Sequence, residues 1–188
     1  MMKLRILFAL VATCAVVRAQ DVPPPPRPAD TGPSLYETMK FITDKIGGQG
    51  PVNFIDYFHD STNGSDWTNK FTSELTNVRA NAEGCRIDYH VRFTRDGQVL
   101  LEKDAAILLK DVAEVAVKTN EQAAKEANSE VGHPEWTHRV DPRVFILEVR
   151  GKTAPNDFDL YDESLANRIA KALVHAVELC GGGSKEPF

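Results

Sequence analysis

The chain has 188 residues, 22 of them Lys or Arg and 27 Asp or Glu, for a formal charge of -5. Hydrophobic residues make up 42% and charged ones 26%, the balance of a folded domain and not of a disordered chain, a collagen-like fibre or a disulfide-dense miniprotein. The acidic excess argues against nucleic acid as a partner, since a nucleic-acid binder needs surplus Lys and Arg to displace phosphate counterions.

Residues 1–19 read as a secretory signal. Lys3 and Arg5 precede an apolar run over 6–17, and Val17-Arg18-Ala19 offers a cleavage site after Ala19. As a helix that run rises about 18 Å, well short of the roughly 30 Å hydrocarbon core. No later segment is apolar for eighteen residues, so no transmembrane segment is expected in the mature chain. Thr13 is a poor residue ahead of a lipidated cysteine, so a lipid anchor at Cys14 is not expected either. The signal takes Lys3, Arg5 and Arg18 with it, leaving 19 basic against 27 acidic residues, a charge of -8. The expected location is the periplasm or the cell exterior. Residues 20–33 hold six of the eleven prolines and read as a semi-rigid polyproline II linker.

A single domain is expected over residues 34–183. Ser34-Leu35-Tyr36-Glu37 is a capping box, and Leu35, Met39, Ile42 and Ile46 recur at helical spacing up to Gly47-Gly48. Residues 52–59 are rich in aromatic and branched side chains and predict a strand, with a turn at Asn63-Gly64 and a weaker strand over 67–78. Ile87, Tyr89, Val91 and Phe93 alternate with polar residues, the pattern of a strand with one buried face. Asp96-Gly97 fits a tight type I′ turn, so 99–105 returns as the hairpin partner. Short strands follow over 107–109, 115–117, 144–149 and 158–161. Residues 119–142 break the strand pattern and predict a long loop, with one or two exposed helical turns over 121–127. Leu165, Ile169, Ala172, Leu173, Ala176, Val177 and Cys180 share one face of a closing helix that stops at Gly181. Gly182, Gly183 and the 184–188 tail are expected to fray. The class is α+β, a strongly bent antiparallel sheet or partly open barrel between an N-terminal helix and a C-terminal amphipathic helix.

This order of strands, followed by Phe158-Asp159-Leu160-Tyr161-Asp162-Glu163-x-x-Ala166-Asn167-Arg168-Ile169-Ala170-Lys171-Ala172, resembles the end of a pleckstrin-homology-like (PH-like) domain. The closing His175-Ala176-Val177-Glu178-Leu179-Cys180-Gly181-Gly182-Gly183 resembles the tail of a group of uncharacterised exported bacterial proteins. The neighbourhoods of Trp67-Thr68-Asn69 and Gly132-His133-Pro134 resemble that group too. The resemblance implies a fold and a compartment, without an activity. Intracellular PH domains bind phosphoinositides through a basic loop, and no such Lys/Arg cluster is present here.

Cys85 and Cys180 are the cysteines left after signal cleavage, and in an oxidising compartment the pair is expected as a disulfide in preference to two separate buried thiols. The segment Gly132-His133-Pro134-Glu135-Trp136-Thr137-His138 holds the ligand-binding candidates His133, Trp136 and His138. Two histidines and a carboxylate suit zinc chemically, with His59 or His90 as further ligands, but Pro134 prevents the helix that would align them. No metal site and no cofactor are expected, and the alternative is a loop anchored by Trp136 with its histidines facing water. His175 is expected as a hydrogen-bonded residue at the core margin. Asp56, Asp60 and Asp66 lack the calcium-loop pattern and read as a solvated turn. Nucleophile-elbow, phosphate-loop and dinucleotide signatures are missing, as is a catalytic residue set.

The expected function is a non-catalytic binding or interaction module, acting through a groove or strand edge on an envelope protein or peptide. Two alternatives stand beside it. One is a carrier of a small apolar ligand between sheet and closing helix, lined by residues such as Phe93, Leu101 and Ile169. The other is a hydrolase or metal enzyme built on the 133–138 loop.

Overall fold

In a computed structural model of the chain, residues 32–152 and 155–183 are described. The signal over 1–19, all of the linker before Gly32 and the 184–188 tail lie outside them.

The first helix, α1 (Leu35–Gly47), starts where the capping box puts it. Ser34 Oγ accepts the Glu37 amide at 3.3 Å, while Glu37 returns a carboxylate to the Ser34 amide at 2.9 Å. Met39, Ile42 and Ile46 turn inward from this helix. Strands β1 (Val52–Asp60), β2 (Ser65–Asn81), β3 (Arg86–Arg95) and β4 (Gln98–Leu108) follow as antiparallel neighbours. Asp96 and Gly97, with φ of 50° and 79°, make the type I′ turn between β3 and β4 that the Asp-Gly pair predicts. A single 3-10 turn (Leu109–Asp111) leads into β5 (Val112–Thr119). Helix α2 (Asn120–Glu130), β6 (Trp136–Asp141), β7 (Phe145–Gly151), β8 (Asn156–Leu160) and α3 (Glu163–Leu179) complete the described elements.

The α+β class and the antiparallel pairing hold, but the strands form two sheets where one bent sheet was expected, and neither closes into a barrel. The first has order β4-β3-β2-β1-β6 and the second β5-β7-β8. The division falls at the 3-10 turn. Fully buried Leu109 acts as its pivot, and the chain beyond pairs with β7, Val112 opposite Gly151. Gly151 makes that crossing possible, because a Cβ there would strike the Asp111 carbonyl oxygen.

Helix α3 lies across the second sheet and beside α1. Its buried stripe of Ala166, Ile169, Leu173, Ala176 and Val177 packs in one core with Met39, Ile42, Ile87, Leu147, Phe158 and Leu160. Each large side chain of that stripe contributes on the order of 2 kcal/mol by leaving water. A smaller core gathers Val52, Phe54, Val140 and Val144, with Phe71 and Phe93 stacked at its edge. The Cys85–Cys180 disulfide is formed, tying the residue before β3 to the cap of α3.

Two further expectations change. Residues 119–142 are not a long loop. Thr119 and Gln122 form a second capping box that starts an eleven-residue α2, and residues 136–141 join the first sheet as its edge strand. Gly182 and Gly183 do not fray. The Gly182 amide donates to the Val177 carbonyl at 2.9 Å and the Gly181 amide to the Glu178 carbonyl at 3.0 Å, which is a Schellman ending. The Gly183 amide then reaches the Val112 carbonyl, so the glycines dock on the second sheet. Among the described residues, no helix is long and apolar enough to cross a membrane.

Candidate functional site

Two places bring unusual side chains together. The first is built where β6 pairs with β1, with Phe58 opposite His138 and Asp60 opposite Trp136. Period-two geometry puts Asp56, Phe58 and Asp60 of β1 on the same face as Trp136 and His138. Phe58 is the centre. Trp67 stacks on it with centroids 3.9 Å apart, while Trp136 and His138 meet its edge at 5.2 and 4.9 Å. His133 stacks flat on Trp136, with centroids 3.9 Å apart and planes 3° from parallel.

All but one of the polar side-chain groups described in this cluster are paired. His138 Nδ1 lies 2.8 Å from Asp56 Oδ2, and its Nε2 lies 2.9 Å from Asn128 Nδ2. The Asn128 amide is a donor, so Nε2 accepts and the ring proton sits on Nδ1, donated to Asp56. Asp60 accepts from the Thr62 amide at 2.9 Å, the Thr62 hydroxyl at 2.6 Å and the Trp136 side chain, and the Thr62 bonds chiefly hold its carboxyl below the usual range. Glu135 is held low by its own backbone amide and by His133, whose Nδ1 lies 3.0 Å away. The other oxygen of Asp56 is buried and accepts nothing.

The three candidate residues of the 133–138 segment are therefore brought together, yet as strand and brace. His138 does not face water as a loop residue would; its side chain is 11% exposed, because β6 carries it onto the inner face of the sheet. Both of its ring nitrogens are engaged. His59 turns to the opposite face and pairs with Asp66, and His90 sits between Asp104 and Glu102 in the hairpin, where Asp104 chiefly holds its ring pKa up. Among the described residues, no group of three His, Cys, Asp or Glu is placed to hold a metal ion. Asp56 and Asp60 are buried, correcting the expected solvated turn. His175 donates from Nε2 to the Pro33 carbonyl, 3.0 Å away, on the rim of α3 as expected.

The second place is an open cleft of about 280 Å³ between the two sheets. Phe54, Val91, Phe93 and Leu101 supply the wall of the first sheet, and Ile146, Asp157 and Asp159 the wall of the second. Phe93 and Leu101 line this open cleft between the sheets, whereas the ligand-carrier alternative places its ligand between sheet and closing helix, where Ile169 is fully buried in the core. Tyr89 donates its hydroxyl to Asn156 Oδ1 at 2.5 Å, and burial pushes its pKa up to about 12. Dehydration in the cleft pushes the Asp159 carboxyl up to about 6, with the charge of Asp157 adding to the effect and a hydrogen bond from Ser73 opposing it. Asp157, nearer solvent, is raised by partial dehydration and by the charge of Glu148.

Strand β4 borders this cleft and ends the first sheet, so one of its edges is unpaired among the described strands. Val99, Leu100 and Leu101 on it are 41–48% exposed.

The cleft carboxylates, Asp56 and Asn128 were not singled out as a site from sequence. The capping box at Thr119 was the available signal for the helix that carries Asn128. Comparison with known proteins gives no match to a family model, to a curated protein or to a solved structure.

Proposed function

We propose that this protein is an exported, non-catalytic binding module with a PH-like fold, which takes an extended segment of an envelope protein or peptide along β4. The carrying observation is the edge itself, eleven residues long, unpaired on one side, with an apolar run over 99–101 and a cleft beside it. An exposed edge of this kind offers backbone donors and acceptors to an incoming strand, and the flanking cleft offers side-chain pockets. The signal over 1–19 and the Cys85–Cys180 bridge support the oxidising compartment. Two antiparallel sheets, with a C-terminal amphipathic helix packed on the second, support the PH-like reading.

The test is selection of a random peptide library on the purified protein, with a Leu100→Glu/Leu101→Glu variant as counter-target. Peptides that bind the protein, protect β4 amides from hydrogen exchange and fail on the variant are expected. Selected peptides that bind the variant equally well, or no selected peptide at all, would overturn the proposal.

A second reading, a carrier of a small ligand with an apolar body, is favoured by the cleft itself, since Phe93 and Leu101 stand on its wall.

A further inference from the structure

We propose that the cleft between the two sheets binds a primary ammonium on a short apolar stem, presented either by a free amine or by a lysine side chain of a partner segment. The inference rests on the second reading above and names the chemistry that the cleft would accept.

Three observations carry it. Asp157 and Asp159 are two residues apart on β8, so both carboxylates fall on one face, the wall of the cleft. Lys118 and Arg150, whose charges reach Asp157, make their close ion pairs with other carboxylates. Lys118 holds Glu126 at 2.5 Å and Glu148 at 3.1 Å, and Arg150 holds Glu148 at 3.1 Å. Among the described residues, neither Asp157 nor Asp159 has an ion-pair partner, and Lys103 stands exposed on the opposite wall. The rest of the lining sets apolar Val91, Phe93, Leu101 and Ile146 beside polar Ser73, Asn120 and Asn156.

Charge and shape then choose among ligands. An anion would face two carboxylates. A neutral apolar molecule would complete their dehydration without compensation. An ammonium supplies donors and the opposite charge at the acidic wall, while its stem covers the aromatic one. Dehydration raises the Asp159 carboxyl, and an ammonium seated beside it would favour its charged form. The volume, about 280 Å³, lies just below the roughly 300–1,000 Å³ usual for ligand pockets, which suits a stem of a few carbons better than a lipid tail.

The experiment is titration of isotope-labelled protein near neutral pH with hexylammonium, 1-hexanol and hexanoate, and with a short capped peptide containing either lysine or norleucine. Hexylammonium is expected to bind about tenfold more tightly than hexanol, with shifts at Phe93 and Leu101, and the preference should vanish in Asp157→Asn/Asp159→Asn. Lys103→Ala, which removes a like charge, should tighten hexylammonium. If the lysine peptide outbinds both hexylammonium and its norleucine counterpart, the source is a partner segment; the reverse assigns a free amine. Equal binding of hexanol and hexylammonium, or loss of ammonium binding in Lys103→Ala, overturns the inference and leaves the carrier reading standing. No shift at the cleft with any probe overturns both.

Discussion

The imidazole of His138 and the carboxylate of Asp56 meet at 2.8 Å across 82 residues of chain. Asp56 is on β1 and His138 on β6, and the second ring nitrogen is held by Asn128 of α2, so one side chain fastens three elements. The pair is largely enclosed, with each side chain 11% exposed. Removing one member leaves a buried polar group without its partner, an effect of roughly 1–3 kcal/mol. Asp56→Ala and His138→Ala should each lower unfolding stability by about that amount, and the double variant by clearly less than their sum. Urea unfolding of the four proteins measures the coupling; strict additivity would show that the contact contributes nothing.

The Cys85–Cys180 bridge spans a sequence separation of 95 residues. In the chain-entropy account, closing a loop of that size limits the unfolded ensemble and contributes about 4–5 kcal/mol, with many bridges giving less. Cys85→Ser/Cys180→Ser should therefore unfold at a much lower urea concentration than the oxidised protein. Adding reductant to the unmutated protein should reproduce the shift, and a midpoint insensitive to both changes would refute it.

Asp159 provides a pH test. Its carboxyl is raised to about 6 from an ordinary 3.8, so the folded protein keeps a proton that the unfolded chain releases at lower pH. Stability from this group is intact in acid, falls as pH rises from about 4 through 6, and is absent above that window. Asp159→Asn removes the penalty of ionising the group. It should stabilise the fold by about 1–2 kcal/mol near pH 8 and have almost no effect near pH 3.5. Thermal or urea unfolding across that range decides the matter, and an effect of equal size at both ends would rule out titration of Asp159 as its cause.

Gly182 lies where the end of α3 meets the turn between the sheets. A Cβ there would sit 2.5 Å from the Leu109 carbonyl oxygen and 3.0 Å from Lys110 Cα. Both neighbours are backbone, so relief requires moving the helix end or the turn. Gly182→Ala should lower stability by about 1–3 kcal/mol, from overpacking. A control at exposed Lys171→Ala should change it by less than about 0.5 kcal/mol. Equal midpoints for the two variants would show that the close approach is not maintained in solution.

Much of the frame was legible because it is locally encoded. Ser34 and Glu37 cap α1 through contacts three residues apart, the stripe from Leu165 to Val177 marks α3, and Asp96-Gly97 turns the hairpin. Helix α2 was harder, since Asn128 is its one buried residue among the described ones and it has no apolar stripe to read. What holds it is a cap at its start and contacts at its side, including Glu121 accepting the Val140 amide at 3.1 Å. Strand β6 does alternate, with Trp136, His138 and Val140 inward, but its His and Arg content and the preceding Pro134 resemble a loop. The candidate residues His133, Trp136 and His138 were visible as a cluster, whereas their engagement by Asp56, Asn128 and Phe58 depends on partners far away in the chain.

The amino-acid sequence by itself determined the α+β class, the ends of α1 and α3, the hairpin and the candidate cysteine pair, because capping, alternation and turn chemistry act over a few neighbouring residues. Tertiary structure alone decided the division into two sheets, the burial of Asp56 and His138, and the cleft with Asp157 and Asp159 on its wall. The division and the cleft follow from β5 pairing with β7 beyond the Leu109–Asp111 turn, and the burial of Asp56 and His138 from β6 pairing with β1; such choices are made by packing energy between distant strands, which local pattern does not carry.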